Sequence, residues 1–280
     1  MIAVLGGLGA AVCWAGAALS AARASRLLGA RTVLAWVMLV GFVVVAPLTA
    51  AAGVPKGLGA GELGWIVAAG AGNVAGLLCS YEAMRIGRVS IVAPISSTEG
   101  AIAAVLAVTA GEALGGASAV LLAVIAVGVV LASSARPEAA TGQPARATLL
   151  ACCAAALFGV GLFATARVGD ALPLVWGVIP ARLVGVLVIT LPLLLQGRLR
   201  LTRAAAPFVV VSGLCEVAGF TSYALGARHG IAVAAVLASQ FAAVAAVAAW
   251  FLFAERLRPL QIAGVVTIAL GVAVLTAVQA

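Results

Sequence analysis

The chain has 280 residues, of which 65% are hydrophobic and only 9% charged, and its formal net charge is +8. That composition excludes an ordinary soluble domain, in which about a quarter of the residues are charged. The basic excess does not indicate nucleic acid, because the arginines sit at the ends of apolar runs and no basic, aromatic-interleaved segment occurs.

Apolar runs long enough to cross a ~30 Å hydrocarbon core as helix follow one another along the chain. They lie at roughly 2–22, 32–52, 63–84, 89–110, 117–134, 148–166, 171–195, 205–227, 231–253 and 259–278. The runs are continuous, not alternating apolar and polar, which argues for helices over barrel strands. The first lacks a basic leader and is too long for a signal peptide, so it is expected to stay in the mature protein. Cys13, Cys79, Cys152, Cys153 and Cys215 all fall inside these spans and read as small packing residues, with no disulfide framework. The one long polar stretch, from Ser133 to Arg146, joins the fifth span to the sixth. Every other connection is short and leaves no room for a soluble catalytic domain.

The two sides of that stretch repeat each other. At a constant shift, Asn73-Val74-Ala75-Gly76 matches Glu216-Val217-Ala218-Gly219, Arg85 meets Arg228, Gly87 meets Gly230, Ser96 meets Ser239 and Glu112 meets Glu255. One extra residue of shift sets Trp14 on Phe158 and Arg23 on Arg167. The expected architecture is therefore an all-α membrane protein with ten transmembrane helices, built as two inverted five-helix repeats. Residues 1–135 form the first repeat, 136–146 the linker and 147–280 the second. Inversion follows from the odd number of spans per copy, which makes the copies enter the membrane in opposite directions about an axis in its plane.

Lysine and arginine in the connections set the expected orientation. One side carries Arg23, Arg26, Arg31, Arg85, Arg88, Arg136, Arg146, Arg198, Arg200, Arg203, Arg256 and Arg258, the other only Lys56, Arg167 and Arg228. The basic side is expected to be cytoplasmic, which places both termini outside a plasma (inner) membrane.

Three ionisable residues fall near mid-span: Glu99, Arg182 and Glu216. At about 3 kcal/mol or more for a charge at that depth, they are expected to face the bundle interior, where water, a ligand or each other can meet them. The residues around them are polar too. Glu216, Gly219 and Tyr223 share a helix face, and the matching face of the third span carries Asn73, Gly76 and Ser80. Ser96 lies one turn from Glu99, with Ser239 and Gln240 at the corresponding depth of the ninth span. Trp14 and Phe158 occupy matching positions, either as aromatic walls or as ordinary packing. The predicted substrate-binding set is thus Arg182, Glu216, Glu99, Asn73, Gln240, Ser96, Trp14, Tyr223, Ser80 and Phe158. The competing reading makes Arg182 and Glu216 a structural ion pair and the other polar groups interhelical glue.

Prolines punctuate the same region, Pro94 in the fourth span and Pro173, Pro180 and Pro192 in the seventh, as a hinge, a binding-site break or a plain kink. Gly128 in the fifth span and Gly264, Thr267 and Gly271 in the tenth allow close helix contacts, either within the protomer or across a homodimer.

The run Tyr81-Glu82-Ala83-Met84-Arg85-Ile86-Gly87-Arg88-Val89-Ser90-Ile91-Val92-Ala93-Pro94, continuing to Gly111-Glu112, resembles the signature of the EamA family in the drug/metabolite transporter superfamily. The second copy resembles it again from Tyr223-Ala224-Leu225 through Gly230 to Ala254-Glu255-Arg256-Leu257, with Leu237 in place of Pro94. The resemblance spans nearly the whole chain. It implies an inverted ten-helix transporter of small metabolites with a central cavity between repeats, and a structural role for Glu112 and Glu255 at helix ends. It also implies cytoplasmic termini, against the arginine distribution.

The resulting expectation is a secondary transporter of a small polar, amino acid-like solute. Arg182 would hold an anionic group, and Glu216 or Glu99 an amine or a coupling proton. Partners are then a small-molecule substrate, the lipid bilayer and a proton; no cofactor and no metal are expected. An intramembrane enzyme fits poorly, since Asp170 is the lone aspartate and His229 the lone histidine, and no Walker-type loop occurs. A membrane scaffold or receptor that moves nothing is the other alternative.

Overall fold

A computed structural model describes residues 1–55, 58–86, 92, 95–133, 144–245, 248 and 259–278. The regular structure among them is helical throughout. The helices are α1 (Ile2–Leu28), α2 (Ala30–Ala52), α3 (Ala60–Ile86), α4 (Glu99–Thr109), α5 (Gly116–Ser133) and α6 (Pro144–Ala171). There follow α7 (Val175–Gly185), a π turn (Val186–Thr190), α8 (Leu191–Leu195), α9 (Ala206–Ala227), α10 (Ile231–Ala238) and α11 (Pro259–Val278). Six stretches among the described residues are long and apolar enough to cross a membrane: α1, α2, α3, α6, α9, and α7 with α8 through the π turn. The chain is a multi-pass membrane protein.

The sharp reversal from α1 to α2 turns on Gly29, whose φ of 82° lies where a side chain is disfavoured. The main packing then joins helices from the two sides of the polar stretch: α1 lies against α9, α3 against α6, α4 against α10 and α5 against α11. Small residues let these backbones approach. A Cβ on Gly226 of α9 would stand 3.0 Å from Gly6 Cα of α1. Two hydroxyls tie the same pair, Ser222 donating to the Gly6 carbonyl at 2.9 Å and Ser212 to the Ala17 carbonyl at 3.1 Å. In lipid such contacts and packing take over the role that hydrophobic burial has in water. The small residues of the fifth and tenth spans serve the protomer itself: a Cβ on Gly128 would stand 3.2 Å from the Gly264 carbonyl, and one on Gly271 2.6 Å from Ile125.

Continuous fourth and ninth spans were expected, but both are interrupted. Turns at Ser97–Thr98 and Ser239–Gln240 separate the helical segments on either side. Side chains compete for the helical carbonyls at each break, Thr98 Oγ1 donating to Ile95 O at 2.7 Å and Ser239 Oγ to Val236 O at 2.8 Å. The backbone tightens with them, Thr98 N–H bonding Ile95 O and Gln240 N–H bonding Leu237 O, each one residue short of the α-helical partner. Pro94, Glu255 and residues 134–143 of the connecting stretch lie outside the described residues. The seventh span keeps Pro180 inside α7, and its ladder widens to a π turn just before Pro192, which has no N–H for the Val188 carbonyl.

Two charged side chains act at helix ends, one of them the Glu112 to which the resemblance assigns a structural role. The Glu112 carboxylate, beyond α4, accepts the Ala232 N–H in the first turn of α10 at 3.2 and 3.3 Å. The acid meets an orphan donor at the positive end of the helix dipole. Arg228, after α9, donates to the Gly169 and Leu172 carbonyls at the end of α6, both at 2.8 Å. Glu112→Ala is expected to lower stability by about 1 kcal/mol, the usual size of a lost cap. Thermal unfolding in detergent would show it as a lower midpoint; an unchanged midpoint would mean water replaces the carboxylate at no cost.

Candidate functional site

One cavity lies between α1, α3, α4, α6 and α9. Its floor and walls include Trp14, Asn73, Ser80, Glu99, Phe158 and Glu216, all predicted from the sequence. The free space inside amounts to about 60 Å³ for water-sized particles, room for a few waters. Helical periodicity explains the α3 side, where Asn73, Leu77, Ser80, Tyr81 and Met84 form one stripe. On α9, Glu216 and Phe220 are one turn apart. Glu99 arrives differently, as the first residue of α4 directly after the break in the fourth span.

Matching glycine–aromatic contacts hold the side walls. On α3, a Cβ at Gly76 would stand 2.6 Å from the Phe158 ring of α6. On α9, a Cβ at Gly219 would run into the Trp14 indole of α1. The absence of a side chain at each glycine lets an aromatic ring lie flush on the opposite helix and close the cavity side. Trp14 also packs edge-to-face on Phe220, with ring centroids 5.0 Å apart.

Arg182 stands behind the cavity, fully buried, and reaches it through Glu216. Its Nη2 lies 3.4 Å from Glu216 Oε2, its Nη1 3.6 Å from Met38 Sδ, and its Cζ 5.4 Å from the centre of the Phe220 ring. Nε has no partner. A charge-assisted pair optimised for strength would be bidentate and near 2.7–2.9 Å. This one is long, single and incompletely satisfied, in a place where such a pair brings little net stability.

Glu99 is buried and lines the cavity with no cation beside it among the described residues. Arg182 and Glu216 cancel, so the site retains one surplus carboxyl. Buried polar atoms without partners border the same space: Trp14 Nε1, Asn73 Oδ1 and Tyr81 Oη. Buried polar atoms in folded proteins are ordinarily hydrogen-bonded, and where several share a cavity a polar ligand or water is their natural partner.

The remaining predicted residues sit outside the cavity lining. Tyr223 is fully buried and donates to the Leu162 carbonyl at 3.0 Å, tying α9 to α6. Ser96 and Gln240 are buried beside the two helix breaks, where Ser96 Oγ and Gln240 Nε2 lack partners. Sequence reasoning missed Tyr81, Phe220 and Phe241, which also line the space. Tyr81 and Phe220 were reachable by extending the faces of Asn73 and Glu216 by whole turns. Phe241 follows the break at Ser239–Gln240 and gave no signal.

Among solved structures 27 chains match, and one crystal structure superposes with a TM-score of 0.78 over 99% of this chain and 96% of its own. Its sequence identity is 19%, so the likeness is one of fold. No curated protein sequence matches. The model of the EamA-like transporter family matches residues 1–134, which include the signature run, α3 and Glu99, so the first half of the chain is similar to that family.

Proposed function

We propose that the protein is a secondary transporter that moves a small polar, amino acid-like metabolite, outward from the cell, by alternating access. The site is the mid-membrane cavity at the interface of two inverted five-helix repeats. The observation that carries the reading is the surplus carboxyl of Glu99, in the same cavity as Glu216 and three unsatisfied polar atoms. An intramembrane ionisable group that meets no structural partner is most simply assigned to a substrate or proton path. Glu99 receives the amine of the solute or a coupling proton. Asn73, Tyr81 and Trp14 supply the orienting hydrogen bonds, and the aromatic rings bury its apolar part. In the state described, Arg182 is engaged by Glu216; release of that pair as the halves rock would free the guanidinium for a carboxylate.

The packing supports the inverted ten-helix arrangement. Exchanging the halves turns the α1–α9 contact into α6–α3, the α1–α10 contact into α6–α4, and the α2–α9 contact into α7–α3, all of which occur. The contacts α4–α10 and α5–α11 map onto themselves. Trp14 on Gly219 and Phe158 on Gly76 obey the same exchange. The match of residues 1–134 to the EamA-like transporter family supports the activity class. The arginine distribution favours a plasma membrane location with both termini outside the cytoplasm.

The test is flux. Purified protein in proteoliposomes should show saturable counterflow of at least one labelled amino acid or amine, and an imposed proton gradient should reveal whether movement is coupled or facilitated. Absence of protein-dependent flux across such solutes would overturn the assignment. A cysteine or reporter at the C-terminus reacting only from the cytoplasm would overturn the orientation.

A further inference from the structure

A second cavity opens on the other side of α3 from the central one, between α2, α3 and the seventh span. Its outer end is polar and basic, formed by Arg31 at the start of α2 and by Arg198 and Arg200 after α8. Its walls are apolar, with Val74 and Leu78 on one side and Val188, Ile189 and Leu193 on the other. The π turn explains why it exists. Thr190 Oγ1 donates to the Ala35 carbonyl at 2.8 Å, which holds the π turn toward α2 and away from α3. One turn deeper the two helices touch again, a Cβ on Gly70 of α3 standing 2.8 Å from Val184. The result is a groove closed at its inner end and open to the side.

Its dimensions match one lipid leaflet. From Leu193 to Val184 the wall rises about 14 Å at 1.5 Å per residue, close to half of a ~30 Å hydrocarbon core. Trp36 marks the outer end, its indole N–H donating to the Arg200 carbonyl at 3.1 Å, where an amphipathic ring prefers the interface. The three arginines are exposed, no acidic residue lines the groove, and none of the three has a carboxylate partner among the described residues. A cluster of guanidiniums above a leaflet-deep apolar slot has the charge and shape of an anionic phospholipid's complement.

We propose that this groove is a binding site for an anionic glycerophospholipid of the cytoplasmic leaflet. The phosphate meets Arg31, Arg198 and Arg200, and an acyl chain fills the slot between α3 and the π turn. The site depends on membrane placement only, so it stands or falls separately from the transport assignment.

Native mass spectrometry of the detergent-purified full chain tests it, with phosphatidylglycerol, phosphatidylcholine and free glycerol phosphate as probes. Phosphatidylglycerol should be retained in preference to phosphatidylcholine. The variant R31Q/R198Q/R200Q should lose that retention on the order of a hundredfold, about fivefold for each surface arginine. The variant R23Q/R26Q/R203Q, which removes basic-side charges outside the groove, should bind as the native chain does. Ala75→Trp, which fills the slot and leaves every arginine in place, should weaken retention without altering charge. Equal retention of the two lipids, equal loss in both arginine variants, or unchanged retention in Ala75→Trp would overturn the proposal. Displacement by glycerol phosphate at matching concentration would reduce the site to a surface anion site and overturn it as well.

Discussion

Replacing Arg182 by Met and Glu216 by Leu together is expected to give a chain that folds, inserts and moves no solute. The single change Arg182→Ala should behave differently. It leaves the Glu216 carboxylate buried without its cation, and stranding one member of such a pair costs about 3–5 kcal/mol. Thermal unfolding should therefore rank the double variant near the native protein and the single variant well below it. The reason lies in the geometry, a contact of 3.4 Å with Nε unsatisfied. Little net stability is held there, so two apolar side chains of similar size can take its place. Transport separates the roles. Native flux in the double variant would make the pair structural and remove both residues from the mechanism.

Glu99→Gln should be the complementary case, with the fold kept and flux lost. Glutamine has nearly the same shape, and no ion pair is broken because no cation stands beside Glu99 among the described residues. Loss of a buried charged contact to the solute would cut flux on the order of a hundredfold, within the 2–5 kcal/mol typical of such contacts. The measurement is counterflow in proteoliposomes, at several external pH values for both proteins. If Glu99 carries the coupling proton, the variant should lose the pH dependence of the native protein along with its gradient-driven component. Flux within a factor of two of native at every pH would show that Glu99 is a spectator.

The parts of this site that were legible in the sequence were those that stand out against an apolar background. A carboxylate at Glu99 or Glu216 and an amide at Asn73 have no place facing lipid, so each could be assigned inward from hydropathy alone. The duplication added a second constraint, pairing Asn73 with Glu216 and Trp14 with Phe158, and all four border one cavity. Aromatic residues offer no such contrast, which is why Phe220 and Phe241 were passed over. The position of Arg182 behind Glu216 depends on the approach of α2. A Cβ on Gly41 would stand 2.8 Å from Arg182 Cδ, a tertiary fact that no local pattern encodes. The helix breaks were hidden for a related reason: Ser-Ser-Thr is tolerated in a continuous span, and only the carbonyls chosen by Thr98 and Ser239 decide otherwise.

The Glu112 cap on α10 and the pairing of α1 with α9 bear on how the chain matures. During synthesis α1 enters the bilayer long before its principal partner α9 has left the ribosome, and Glu112 waits for a peptide N–H that lies 120 residues further along the chain. Until then the glycine face of α1 and the acid after α4 must be sheltered by lipid, insertase or a provisional neighbour. Either half expressed alone would remain in that unfinished state, and co-expressed halves should recover native assembly only when both are present in the membrane together.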